Sequence, residues 1–329
     1  VTGPRHPGAD TEAAGAVAAR DDALAADVRA GFAQRPRTLP AKWLYDARGS
    51  ELFDQITRLA EYYPTEAERS ILLQRAGQVV EAAGADTLVE LGSGSSDKTT
   101  ALLDAMRATD HGLHRYVGFD VSADALERAA EVLAQRYPEA IIDTCLGDFD
   151  HDLGQIRHDG RQLVAFLGGT IGNYAPLPRA RFLEQVRSIL EPGDTFLVGS
   201  DLVKDPARLV AAYDDAAGVT AAFNRNILRI LNRELDADFD LDRWRHRAVW
   251  DADNEWIEMH LVSQGDQVVT FLGLDLVVQI ADGEHIRSEI SSKFRPERLD
   301  AELAAAGLDT VERWYDDAGD YAVTLAQPA

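Results

Sequence analysis

"TLVELGSGSSDKTT", residues 87–100, decides the fold. A short apolar run reads as a buried strand, passes into a glycine-rich turn and continues as a helix. Gly92 and Gly94 let the backbone turn tightly and bring amide N–H groups close to a ligand at the helix start. The dinucleotide fingerprint asks for a third glycine, which serves close helix–strand packing beside a pyrophosphate. Asp97 stands in its place. The layout suits a nucleotide and disfavours one that carries a diphosphate.

Downstream, short apolar strands alternate with helices. The pattern predicts a helix over 97–108, a strand over 116–120, a helix over 123–136, strands over 140–147 and 162–169, a helix over 178–190 and a strand over 194–201. Such alternation means a parallel sheet covered on both faces. The second strand ends in Asp120, where a carboxylate can accept both ribose hydroxyls. Its distance from Gly92 is 28 residues, longer than the ~20 of the dinucleotide fingerprint. The third ends at Gly147-Asp148-Phe149, an acceptor for an adenine amino group beside a ring that can lie along the base. A carboxylate after a strand is commonly only a turn or a cap. Three such features at the C-terminal ends of successive strands share one crevice, however, and open α/β sheets bind ligands there. Together they favour an adenosine ligand without a diphosphate, and S-adenosylmethionine fits.

Upstream, residues 1–16 are rich in Gly, Ala and Pro and read as a disordered extension. Leu24, Val28 and Phe32 then recur at helical spacing until Pro36. The stretch 42–68 is unusually aromatic, with Trp43, Tyr45, Phe53, Tyr62 and Tyr63. Beyond residue 203 the pattern changes. "DPARLVAAYDDAAGVTAAFNRNILRILNREL" (205–235) reads as helical throughout, and alternating segments such as "WIEMHLVS" and "HIRSEISSKF" look antiparallel. A parallel α/β domain interrupted by an insertion at roughly 203–293 accounts for both halves.

Bulk properties narrow the class. The 329 residues carry a net charge of −23, which argues against a nucleic-acid or anionic-membrane surface, since both need a basic footprint. A single cysteine, Cys145, fits a reducing compartment. No stretch approaches the ~20 apolar residues of a membrane span, and the first residues lack the layout of a signal peptide. A cytoplasmic location and, in the absence of a heptad or a long exposed edge, a monomer are expected. No metal is expected either: the eight histidines show no ligand spacing beyond His111/His114.

The order "VELGSGSSDKT", "VGFDVS", "GDF", "FLGGTIGNY" resembles the class I methyltransferases. More closely, "KWLYDARGSELFDQIT", "EYYPTEAE", "LGSGSSDKT", "GGTIGN", "AAYDDAAGVTAAFNRN" and "EISSKFRPE" resemble the L-histidine Nα-methyltransferases of ergothioneine biosynthesis, from about residue 20 to the end. The resemblance implies trimethylation of the histidine α-amine to hercynine. It implies an α/β fold, a class I (Rossmann-like) methyltransferase domain at 67–202 and 294–329, with an inserted α+β substrate-binding domain at 203–293 joined by 17–66. By motif, Gly92, Lys98, Asp120, Asp148 and Phe149 match cofactor-binding positions, and Tyr62, Asn173, Tyr213, Glu289 and Ser291 match histidine-binding positions.

The residue chemistry is compatible with these roles and leaves alternatives open. Lys98 is either a cation for the cofactor carboxylate or an ordinary exposed helix lysine. The amide of Asn173 and the hydroxyl of Tyr213 can bind a substrate carboxylate without placing a second cation beside a sulfonium, although Asn173 also suits a turn. In "RSEIS", Arg287, Glu289, Ser291 and Lys293 share one strand face and Ile286 and Ile290 the other. That polar face is either solvated or, as the resemblance implies, the imidazole site. Tyr45 and Phe53 are candidates for cation–π contact with the growing ammonium, or else plain lid or core aromatics. The rival functions are an N-methyltransferase for a tryptophan-like amino acid, a non-catalytic nucleotide-binding regulatory module, and a nicotinamide oxidoreductase, the last weakened by Asp97. Glu289 favours histidine over an indole, because a carboxylate suits a ring with two nitrogens.

Overall fold

Leu88 and Val89 are neighbours in the strand quoted first, and each is buried in a different apolar cluster. Successive strand residues face opposite sides, so this strand is covered on both faces. The computed structural model describes residues 22–92 and 98–329. The 1–16 segment, Gly94 and Asp97, all singled out above, lie outside the described residues.

In chain order the elements are helix α1 (22–33), a two-residue strand β1 (Arg37–Thr38), α2 (Ala47–Ile56) and α3 (Pro64–Ala83). The alternating region follows: β2 (Thr87–Leu91), α4 (Thr99–Arg107), β3 (Arg115–Asp120), α5 (Ala123–Arg136), β4 (Ile141–Leu146), β5 (Gln162–Phe166), α6 (Pro176–Ile189) and β6 (Thr195–Asp201). Then come α7 (Pro206–Tyr213), α8 (Val219–Glu234), β7 (Trp244–Asp251), β8 (Trp256–Ser263), β9 (Gln267–Phe271), β10 (Leu276–Ile280) and β11 (His285–Ser292). The chain closes with α9 (Pro296–Ala305), β12 (Leu308–Tyr315) and β13 (Tyr321–Pro328). The single helix expected over 205–235 is in fact two. Asp215 accepts the backbone N–H groups of Val219 and Thr220 at 3.0 and 2.7 Å, and Gly218 takes φ +74°, so a capped second helix starts where a continuous one was expected.

Two units emerge from the packing. One comprises Tyr63–Asp205, Ala252–Trp256 and Ser291–Ala329. Its seven-stranded sheet has the order β12-β13-β6-β5-β2-β3-β4. Strands β2 to β6 pair in parallel, while β13 is antiparallel to both β6 and β12. This is the sheet that the resemblance to class I methyltransferases leads one to expect. Helix α3 starts on Pro64, whose missing N–H costs nothing there, and stops at Gly84 in the left-handed region. Ser122 caps α5 by accepting from Ala125 N–H.

The other unit comprises the described residues up to Tyr62 with Pro206–Asp251 and Ile257–Ile290. Its sheet has the order β1-β11-β8-β7, with β1 parallel to β11, and β9 and β10 form a separate antiparallel pair. Phe32, Phe239, Phe271 and Trp244 form an edge-to-face aromatic core. The motif "DARGSE" has a local explanation. Asp46 caps α2 by accepting from Gly49 N–H, and also accepts from Asn226 and Arg233 at 2.7 and 3.0 Å. A Cβ on Gly49 would fall 1.7 Å from the Leu44 carbonyl oxygen, so only glycine fits. Burial opposes ionisation of Asp46, but these hydrogen bonds outweigh it and hold the carboxyl below the usual range. Asp46→Ala removes the cap and two further bonds, and urea denaturation should show a loss of about 1–3 kcal/mol. An unchanged midpoint would mean that the cap and its partners contribute nothing.

Candidate functional site

Strands β3 and β4 lie on one side of β2, and β5 and β6 on the other. In an open parallel sheet, ligands bind outside the strand C-termini at such a reversal. Gly92 follows β2 there with φ +82°, a conformation that favours glycine. Its N–H donates to the Phe119 carbonyl at 2.8 Å, and a Cβ on it would lie 3.4 Å from the Phe149 ring. The Phe149 ring stacks on Phe119 at 5.7 Å and meets Phe166 edge-on at 5.5 Å. The Gly147 N–H donates to the Asp120 carbonyl, which joins the ends of β3 and β4. Each carboxylate is oriented by its own turn: Asp120 accepts from Ser122 N–H and Asp148 from Asp150 N–H, both at 2.9 Å. Gly92, Asp120, Asp148 and Phe149 are therefore gathered at three adjacent strand ends.

Lys98 stands just before α4, and its ammonium donates to Glu68. Glu68 was not singled out in the sequence, although it ends the motif "EYYPTEAE". Its side chain is 0% exposed and also accepts from Gly168 N–H at 2.8 Å and from the Tyr321 hydroxyl at 2.7 Å. A second missed acid is Glu90, in β2. It accepts from the Thr99 and Tyr116 hydroxyls. Burial pushes its pKa up to about 7, against the opposing effect of those hydrogen bonds and of the Lys98 charge.

In the other unit, five rings form one cluster. Tyr45 meets Phe53 at 5.4 Å and Phe223 at 5.3 Å, Phe53 meets Tyr62 at 6.1 Å, and Tyr62 meets Tyr213 at 5.9 Å. Glu289, 9% exposed, faces this cluster closely enough to act on Tyr45 electrostatically. Burial first, and then the charge of Glu289, holds the Tyr45 phenol well above its ordinary range. Tyr45 is thus a neutral donor and no base. Phe223 was missed in the sequence, although it lies in "AAYDDAAGVTAAFNRN". So were Asn224 and His246, which support Tyr213 from behind. Ser288 donates to Asn224 Oδ1, Asn224 Nδ2 meets His246 Nδ1 at 2.9 Å, and His246 Nε2 meets the Tyr213 carbonyl at 2.8 Å. This chain assigns a neutral imidazole that accepts at Nδ1 and donates at Nε2, and burial lowers the His246 pKa accordingly.

From Glu289 onward the polar face of β11 is not solvated, while Arg287 is partly exposed. Ser291 is 5% exposed and Lys293 0%. Lys293 donates to Asp201 at 2.8 Å and to Ser291 Oγ at 2.9 Å. Asp201 also accepts from the Tyr63 hydroxyl and from Lys204. Burial opposes its ionisation, but the charges of Lys293 and Lys204 outweigh that and hold it below the usual range. Asn173 ends a 3-10 turn, Thr170–Asn173, that packs on the end of β11. A Cβ on the preceding Gly172 would lie 2.9 Å from the Ser292 carbonyl oxygen and 3.4 Å from Ser291 Oγ. Among the described residues, no group of His, Cys, Asp and Glu is arranged to hold a metal ion, and no helix is long and apolar enough to cross a membrane.

Comparison with known proteins decides the family. The family model described as "Histidine-specific methyltransferase, SAM-dependent" matches residues 24–328. The chain belongs to this family. It is similar to the histidine N-alpha-methyltransferase of Mycolicibacterium smegmatis, with 56% identity over 93% of this chain and 95% of that protein. The protein of the same name from Mycobacterium tuberculosis is 52% identical over 92% and 94% of the two chains. Ergothioneine biosynthesis protein 1 of Neurospora crassa is 31% identical over 85% of this chain, which corresponds to 32% of that longer protein.

The raised pKa of Glu90 has a signed consequence. Between about 4.5 and about 7 the folded protein keeps a proton that the unfolded chain releases, so stability falls as pH rises through this window and is flat above it. Glu90→Gln keeps the shape and removes the titration. Its stability relative to the unmodified protein should climb across that window by on the order of 3 kcal/mol. Urea denaturation at several pH values checks this; a difference that does not vary with pH would contradict it.

Proposed function

We propose that this family member trimethylates the α-amino group of L-histidine, using three molecules of S-adenosylmethionine, to give hercynine, a step in ergothioneine biosynthesis. In this reading the unit with the seven-stranded sheet is the cofactor domain and the other unit the substrate domain. The observation that carries it is Glu289, a buried carboxylate set against an aromatic cluster. A carboxylate suits an imidazole N–H, and tyrosine and phenylalanine rings suit an amine that becomes a fixed cation. The relatives' names and the family description support the same substrate.

The chemistry asks little of the protein in acid–base terms. In each round the amine lone pair attacks the sulfonium methyl, the S–CH3 bond breaks toward sulfur, and S-adenosylhomocysteine leaves. One proton per round goes to solvent. The amine must be neutral to attack, and an adjacent sulfonium disfavours its protonated form. Positioning and exclusion of water then dominate. Tyr45, fixed as a neutral phenol, orients and does not abstract. Gly92, Asp120, Asp148 and Phe149 take the adenosine, with Lys98 nearby. Tyr62, Asn173 and Tyr213 take the amino-acid backbone, and Glu289 and Ser291 the imidazole.

Mass spectrometry of the purified protein with S-adenosylmethionine and each of the twenty amino acids tests the assignment. Histidine should gain three methyl groups on its α-nitrogen; ring methylation, or a better substrate among the others, would refute it. Glu289 decides substrate identity more than enzyme class. Removing its carboxylate leaves a buried imidazole N–H unpaired, which costs roughly 1–3 kcal/mol, or about 5- to 150-fold. Glu289→Ala should raise the KM for histidine by that factor, keep cofactor affinity and discriminate less against apolar aromatic amino acids. Ser291→Ala should act in the same direction more weakly. Wild-type histidine kinetics in Glu289→Ala would place the imidazole elsewhere.

A further inference from the structure

Glu68 is a buried anion around which the fold is visibly shaped. A Cβ built on Gly199, inside strand β6, would fall 2.0 Å from Glu68 Oε1 and 2.7 Å from the Tyr321 hydroxyl. Glycine inside a strand weakens it and marks a close approach, here the approach of a carboxylate. Three donors converge on that carboxylate: Gly168 N–H just beyond β5, the phenol of Tyr321, and the ammonium of Lys98 at the start of α4. Packing alone does not call for this. Replacing a buried ion pair by apolar residues of similar volume is often neutral or stabilising. The charge needs another reason, and its neighbours supply one. Gly168 and Lys98 follow the two central strands on either side of the reversal where the cofactor is placed.

The cofactor's own charge completes the argument. S-adenosylmethionine carries a sulfonium, an ammonium and a carboxylate, a net charge of +1, while S-adenosylhomocysteine is neutral overall. An unpaired lysine at this site would repel the substrate form of the cofactor and not the product form, and would favour product inhibition. We propose that Glu68 is a positioning and charge-compensating residue: it fixes Lys98 and the Gly168 turn and cancels the lysine charge, so that the site accepts the cationic methyl donor over its neutral product. The proposal rests on the reading that this unit binds S-adenosylmethionine.

Calorimetric titration with both ligands tests it through a ratio. In that reading Lys98 meets the cofactor carboxylate, which both ligands carry, so loss of positioning alone weakens both equally. Glu68→Gln keeps the volume and leaves Lys98 uncompensated. The ratio of the Kd for S-adenosylmethionine to that for S-adenosylhomocysteine should rise on the order of tenfold, the effect of one unit charge across roughly 10 Å at an effective dielectric near 20. Adding Lys98→Met to that variant should return the ratio toward wild type. Lys98→Met alone leaves the anion uncompensated and should move the ratio the other way, which provides the test if Glu68→Gln does not fold. A ratio unchanged in the single variants overturns the proposal even if both affinities fall. If the wild-type protein binds neither ligand, the cofactor reading fails first and the role of Glu68 falls with it.

Discussion

A carboxylate taken out of water must be met by donors, and the Glu68 side chain in the seven-stranded unit meets this demand with three separate elements. Helix α3 brings the acid, the turn after β5 brings a backbone N–H, β13 brings a phenol and the start of α4 brings an ammonium. Losing any one donor leaves part of a buried charge unsatisfied, at a cost of ~1–3 kcal/mol or more for a charged group. These contacts fix the relation between the two strand ends that flank the sheet reversal. The same unit repeats the solution around Asp201, where Tyr63, Lys204 and Lys293 converge on one buried carboxylate. Both networks stand at the C-terminal ends of parallel strands of the seven-stranded sheet.

The other unit, the proposed substrate domain, backs its aromatic cluster with neutral groups instead. Glu289 lies close enough to that cluster to act on Tyr45, and the backbone of Tyr213 is held by a chain of neutral hydrogen bonds through His246 and Asn224 to Ser288, next to Glu289 on β11. A neutral His246 suits the proposed substrate, which acquires a permanent positive charge. Tyr45 belongs to the same design, since burial and the nearby acid keep its proton in place.

Much of this was legible in the sequence, for identifiable reasons. The parallel strands announced themselves because strands buried on both faces are written as near-continuous apolar runs: β2, β5 and β6 are buried at every position, with Glu90 in β2 and Asp201 at the end of β6 as charged exceptions. The strand-end residues Asp120, Asp148 and Phe149 followed from that register. The polar face of β11 could not be judged, because alternation specifies that Glu289, Ser291 and Lys293 share a side and says nothing of what covers it. The break between α7 and α8 was passed over because apolar residues recur on both sides of it, although Asp214, Asp215 and Gly218 are poor helix formers. Glu68, Glu90, Asn224 and His246 escaped notice for another reason: their partners lie 9 to 253 positions away along the chain, and no local pattern distinguishes a buried charged residue from a solvated one.

The central claim is that Glu289 reads the imidazole while the α-amine is presented to the sulfonium. A crystal structure of the protein with histidine and S-adenosylhomocysteine tests it most directly. The account predicts one imidazole nitrogen within hydrogen-bonding distance of the Glu289 carboxylate, and the α-amine directed at the cofactor sulfur among the rings of Tyr45, Phe53 and Tyr62. An imidazole bound away from Glu289, or an α-amine turned from the sulfur, would contradict it.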